Sequence, residues 1–133
     1  MELVTLYRVA CVQDPTRGPF TQGSDLEIMC REFSNPVDYP APEVDPGIMV
    51  RETKRQHCAC SSVRQLQYWF NRENVIRALL EMNAQVYILN VPKEYVVLGE
   101  AQALFVWEHA QIVATHPIEA LPTLGEDHEQ TAL

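Results

Sequence analysis

Only five glycines occur in the 133 residues, and none falls in a Gly-x-Gly-x-x-Gly or Gly-x-x-x-x-Gly-Lys arrangement, which argues against a dedicated phosphate-cradling loop. Basic residues are also scarce. Ten Lys and Arg stand against eighteen Asp and Glu, a formal net charge of −8, whereas a general electrostatic grip on nucleic acid needs the opposite balance. No apolar run approaches the ~20 residues of a membrane-spanning helix. The opening Met-Glu-Leu-Val-Thr-Leu-Tyr-Arg has an acid where a secretory signal has basic residues, so the expected setting is cytoplasmic. Four cysteines (Cys11, Cys30, Cys58, Cys60) sit among apolar neighbours without framework spacing, which reads as reduced core thiols. In His57-Cys58-Ala59-Cys60, strand alternation puts the two thiols on one face and the imidazole on the other. No second Cys-x-x-Cys or His pair completes four ligands, so no metal is expected. His57, His109, His116 and His128 are scattered, and none lies in a nucleophile-elbow or zinc-helix context.

What is present fits one domain. A hydrophobic share of 47% with 21% charged residues is that of a globular protein able to bury roughly two thirds of its unfolded surface. Leu3 to Val12 alternates branched and aromatic residues with small or polar ones and reads as a strand. Arg8 is the single charge inside it, either at a wet edge with its head in water or aimed into a cleft at an anion. Residues 13–23 carry turn dipeptides, and Ser24-Asp25-Leu26-Glu27 resembles a capping box opening a short helix to Arg31. Pro36, Pro40, Pro42 and Pro46 make residues 34–50 a surface loop, either solvated or a lid. Val63, Leu66, Trp69 and Phe70 form an apolar helical stripe. A second helix over Asn74 to Met82 turns Val75, Ile76, Leu79 and Leu80 inward and stops at Asn83. Gln85 to Val91 is a buried strand closed by Pro92. Tyr95 to Leu98, Ala101 to Trp107 and Gln111 to Thr115 are further extended segments, and Ala101 to Thr115 could leave an exposed strand that pairs with a second copy, a homodimer. The domain is thus expected over residues 1–121, with a disordered acidic tail over 122–133.

Ser61 and Ser62 stand where the His57 to Cys60 strand meets the helix. Hydroxyls there either cap the helix or join its unpaired N–H groups in holding an anionic or polar ligand.

The order Leu6-Tyr7-Arg8, then Cys60-Ser61-Ser62, then Val86 to Pro92, then Gly99-Glu100-Ala101-Gln102-Ala103-Leu104-Phe105 resembles the compact core of the ADP-ribosyltransferase-like proteins over roughly residues 3–115. In that family an Arg or His on the first strand, a Ser or Tyr on a middle strand and a Glu on a late strand line a split between two small sheets and hold NAD. The resemblance implies an α+β fold with two small packed sheets, a cleft between them and two to three helices. It implies NAD as cofactor, with Tyr7, Arg8, Ser61 and Ser62 contacting it. The family's glutamate aligns best with Gln102, and Glu100 lies two residues earlier on the same face of a regular strand. Cleaving the nicotinamide bond builds positive charge on the ribose, which a carboxylate stabilises and an amide hardly does. Either Glu100 carries the transfer of ADP-ribose to a host macromolecule, or the site binds without turnover. The chain also resembles small phage and bacterial proteins with a Tyr-Arg first strand. That likeness implies an alternative: a non-enzymatic phage or mobile-element protein in the host cytoplasm that binds and inhibits a host defence protein through its acidic surface.

Overall fold

Two nine-residue strands, β1 (Leu3–Cys11) and β3 (Ala84–Pro92), pair antiparallel without a break from Leu3 opposite Pro92 to Cys11 opposite Ala84. They belong to a computed structural model that describes residues 2–18 and 56–124. On the other side of β3 runs β6 (Gln111–Pro117), so the first sheet is ordered β1-β3-β6. The central position of β3 explains its composition, since a strand covered on both faces must be apolar in both registers. Val86 and Ile88 point to one face, and Tyr87, Leu89 and Val91 to the other. The second sheet is smaller and ordered β2-β5-β4, from Gln56–Ala59, Ala103–Val106 and Val96–Leu98, again antiparallel throughout.

The helices α1 (Val63–Phe70) and α2 (Glu73–Glu81) cover the first sheet on one side. Their stripes of Val63, Leu66, Trp69, Phe70, Val75, Ala78 and Leu79 pack with Tyr7, Val9, Val86 and Ile88. A fully buried side chain of this kind contributes about 1.5–3 kcal/mol, so these stripes hold the layer in place. Asn83 follows α2 with φ at 58°, a left-handed conformation that an Asn tolerates and that stops the helix before β3. The second sheet lies against the other face, packed through Leu6, Ala10, Ala59, Tyr87, Leu89, Val91, Ala103 and Phe105. The result is the expected α+β class with two small sheets, in three layers: helices, first sheet, second sheet.

Several elements differ from their sequence-based expectation. Leu80 is 44% exposed, and Ala78 takes the inward position, because the α2 stripe follows Val75, Ala78 and Leu79 rather than the next residue round. Ala101 and Gln102 are not strand residues but part of the tight turn between β4 and β5, closed by Gly99 N–H donating to the Gln102 carbonyl at 2.8 Å. Strands β5 and β6 join different sheets, and the 3₁₀ turn Trp107–His109 carries the chain from one to the other. A final 3₁₀ turn, Ile118–Thr123, packs on the helical side, and Leu124 is 2% exposed, so packing continues past residue 121. The Ser24 to Arg31 helix, the 34–50 loop and residues 125–133 lie outside the described residues.

Candidate functional site

Ser62 is the N-cap of α1. Its backbone is extended (φ −150°, ψ 161°), and its hydroxyl accepts the Gln65 N–H at 3.0 Å, meeting one of the donors that every helix start leaves unpaired. Gln65 reaches back one residue past the cap, a variant of the capping box, its Oε1 accepting the Ser61 N–H at 2.8 Å and its Nε2 donating to the Glu100 carbonyl at 3.2 Å. One turn further along the same helix face, Trp69 Nε1 donates to the Ala101 carbonyl at 2.7 Å. The spacing of four puts Gln65 and Trp69 above one another, so a single helical edge holds the whole β4–β5 turn. Ser61, Ser62 and Glu100 are thereby gathered into one exposed patch, with Gln102 buried in the same turn. Gln65 is the residue that sequence reasoning missed here. The signal was present, a Ser followed three residues later by a Gln.

Tyr7 sits beside this patch through its backbone. It exchanges two hydrogen bonds with Cys60, at 2.8 and 2.7 Å, which tie the start of the Ser61-Ser62 turn to β1. Its ring is buried on the helical side, and burial pushes its hydroxyl pKa up.

Arg8 lies on the other face of β1, with Leu6 and Ala10 between the sheets. It is 4% exposed, so of the two readings of this lone charge the wet edge is overturned. Its Nε donates to the Pro15 carbonyl at 2.9 Å, its Nη2 to the Thr16 carbonyl at 3.0 Å and its Nη1 to the Cys58 carbonyl, while the guanidinium stands 5.8 Å from the Phe105 ring centroid. The 14–17 turn is shaped to present those carbonyls. Arg17 N–H closes it on the Asp14 carbonyl at 2.9 Å, and the Asp14 carboxylate accepts the Thr16 N–H at 3.1 Å and hydroxyl at 2.6 Å. These two bonds hold the Asp14 pKa below the usual carboxylate range. Burial lowers the Arg8 pKa, but an arginine starts so high that it stays charged. The structure therefore brings Ser61, Ser62 and Glu100 together and commits three Arg8 donors to backbone oxygens on the opposite face of the strand.

His57 points into the aromatic group of Phe105 and Trp107, with ring centroids 6.1 and 6.4 Å away. Burial and then the Arg8 charge lower its pKa. Alternation does not continue through the Cys58 and Cys60 pair as expected. The strand ends at Ala59, where the chain crosses to β1, leaving Cys58 exposed and Cys60 buried against the helices. Burial pushes the Cys60 thiol well up, which keeps it protonated. Among the described residues no group of three or more His, Cys, Asp or Glu is placed to hold a metal ion. Nor is any helix among them long and apolar enough to cross a membrane.

No curated protein and no solved structure matches the chain. No ADP-ribosyltransferase family is found among the matching family models. The model described as "Bacteriophage T4 Y00F protein" matches residues 1–119, a span that takes in every strand and both helices described above, and the chain belongs to that phage protein family.

Proposed function

We propose that this phage protein is a non-enzymatic binder whose acidic exterior engages and inhibits a host protein. The observation that carries the reading is the surplus of acid over base at the surface, within a chain whose formal net charge is −8. Every Asp and Glu among the described residues is exposed. Arg8 is buried with three of its donors on backbone carbonyls, so its charge does little to offset those acids at the surface. The exposed Glu73–Arg77 and Glu2–Lys93 pairs cancel in charge, which leaves Asp14, Glu81, Glu94, Glu100, Glu108 and Glu119 against Arg17, Arg64 and Arg72, still a surplus of acid. A net charge of −8 over the chain raises the rate of encounter with a basic surface and makes such a complex salt-sensitive.

ADP-ribosyl transfer has one specific support, the Gln65 side chain that holds the Glu100 backbone beside Ser61 and Ser62. Glu100 then supplies the carboxylate that stabilises charge on the ribose, with NAD as cofactor. The basic residue on which this reading relies is committed to Pro15, Thr16 and Cys58. For that reason the binding reading is preferred.

The two separate in one set of measurements. A host protein captured by the purified chain is itself purified and titrated back. On the binding reading the complex weakens about tenfold or more between low and physiological salt, and charge reversal at Glu94 and Glu108 weakens it again. Salt-insensitive binding counts against it. So does nicotinamide release from NAD that Glu100→Ala abolishes, or a melting temperature that climbs with millimolar NAD.

A further inference from the structure

Among the described residues strand β6 forms one margin of the sheet β1-β3-β6, and its seven residues are exposed or half-buried along their whole length. The opposite margin, β1, is engaged at Tyr7 by its two bonds with Cys60. A marginal strand presents a row of N–H and C=O groups outward, and proteins usually guard such rows with charged side chains, prolines or bulges. Among the described residues the guard is thin. From His109 to Ile118 there is no Asp, Glu, Lys or Arg, and Pro117 comes only at the strand's end. What remains is one register shift opposite Ile88 and Leu89, which leaves Val113 as an extra residue. Ile112 and Val113 are 44% and 47% exposed.

Symmetry selects the occupant, and charge selects the place. Two copies of an acidic molecule repel over most of their surfaces, and least where neutral strand meets neutral strand. The sheet is antiparallel throughout, and a two-fold axis pairs a strand with its own copy antiparallel, so the same ladder continues across the axis. We propose that two copies pair through β6 about a two-fold axis near Val113, forming one six-stranded sheet ordered β1-β3-β6-β6-β3-β1. This is independent of the host-binding reading. A contact between two seven-residue strands falls at or below the roughly 1,200 Å² of stable interfaces, so the dimer is weak and concentration-dependent, with a Kd on the order of 10–100 μM.

Sedimentation equilibrium from about 1 μM to about 1 mM tests it. The expected result is a monomer–dimer transition. Val113→Lys, which sets two ammonium groups beside the axis, raises the Kd about tenfold or more. Leu80→Lys makes the same charge change on the exposed face of α2 and leaves the Kd within about twofold. A chain that stays monomeric over the whole range overturns the proposal, as does a dimer that Val113→Lys leaves intact or that Leu80→Lys weakens equally. Val113→Cys in a Cys58→Ser background keeps a small apolar side chain at the position. On mild oxidation it is expected to yield a covalent dimer that Cys58→Ser alone does not, and failure to cross-link overturns the proposal without reference to the lysine variant.

Discussion

Arg8 is the sharpest place to test the packing between the sheets. Replacing it with Met keeps most of the apolar stem but removes the donors to Pro15, Thr16 and Cys58, and the contact with the Phe105 ring. A hydrogen bond from a charged donor contributes about 1.5–3 kcal/mol, which for three gives roughly 4.5–9 kcal/mol before offsets. Desolvating the guanidinium costs several kcal/mol in the native protein, and that cost disappears in the variant. The freed carbonyls of the 14–17 turn can also rotate toward water. The difference left is about 3 kcal/mol of destabilisation. With an unfolding entropy near 2.1 cal/mol/K per residue over a chain of this length, that lowers the melting temperature by roughly 10 °C. Arg8→Lys keeps the charge but reaches fewer of the carbonyls, and is expected to lose more than half as much. Calorimetry gives the stability. Hydrogen exchange at the Cys11 N–H, which is bonded to the Arg17 carbonyl at 2.9 Å, reports whether the turn has come loose. A Met variant within about 0.5 kcal/mol of the parent, with unchanged exchange at Cys11, refutes the view of Arg8 as an internal clamp.

Three smaller effects follow from the same geometry. Ser62→Ala removes the α1 cap and is expected to cost about 1 kcal/mol, seen as a lower urea midpoint at unchanged slope, with Ser62→Gly much milder. His57 titrates below its usual 6.5 in the folded chain, so unfolded chains bind its proton first. Its contribution is complete above pH 6.5 and falls as the pH drops through the folded value, and His57→Asn flattens stability measured between pH 7 and pH 5. Thiol labelling of the native protein is expected to modify Cys58 rapidly and Cys60 only on unfolding, since one is exposed and the other buried and protonated; equal rates for the two contradict the placement.

Local rules made part of this molecule readable. β1 and β3 announce themselves through runs of branched and aromatic residues, the helices through stripes at helical spacing, and Ser62 through its position just before one of them. The unread parts are those that depend on tertiary partners. Whether an arginine in an apolar strand faces water or carbonyls is decided by a turn several residues away, at Pro15 and Thr16, and by a second sheet. Glu100 and Gln102 look like strand residues because the apolar run after them is one. Yet Gln65 and Trp69 bind their neighbourhood as a turn, and no strand pattern carries that information. The partition of β5 and β6 between sheets is equally invisible, because both alternate alike and only the short Trp107–His109 turn redirects the chain.

The pairing of β1 with β3 also sets an order of events at the ribosome. The first strand leaves the exit tunnel long before residues 84–92 exist, and at roughly 5–20 residues per second it waits several seconds for its neighbour. During that interval its apolar face is a target for holdase chaperones, and the closing of so distant a contact makes the sheet, not the helices, the slow step of maturation.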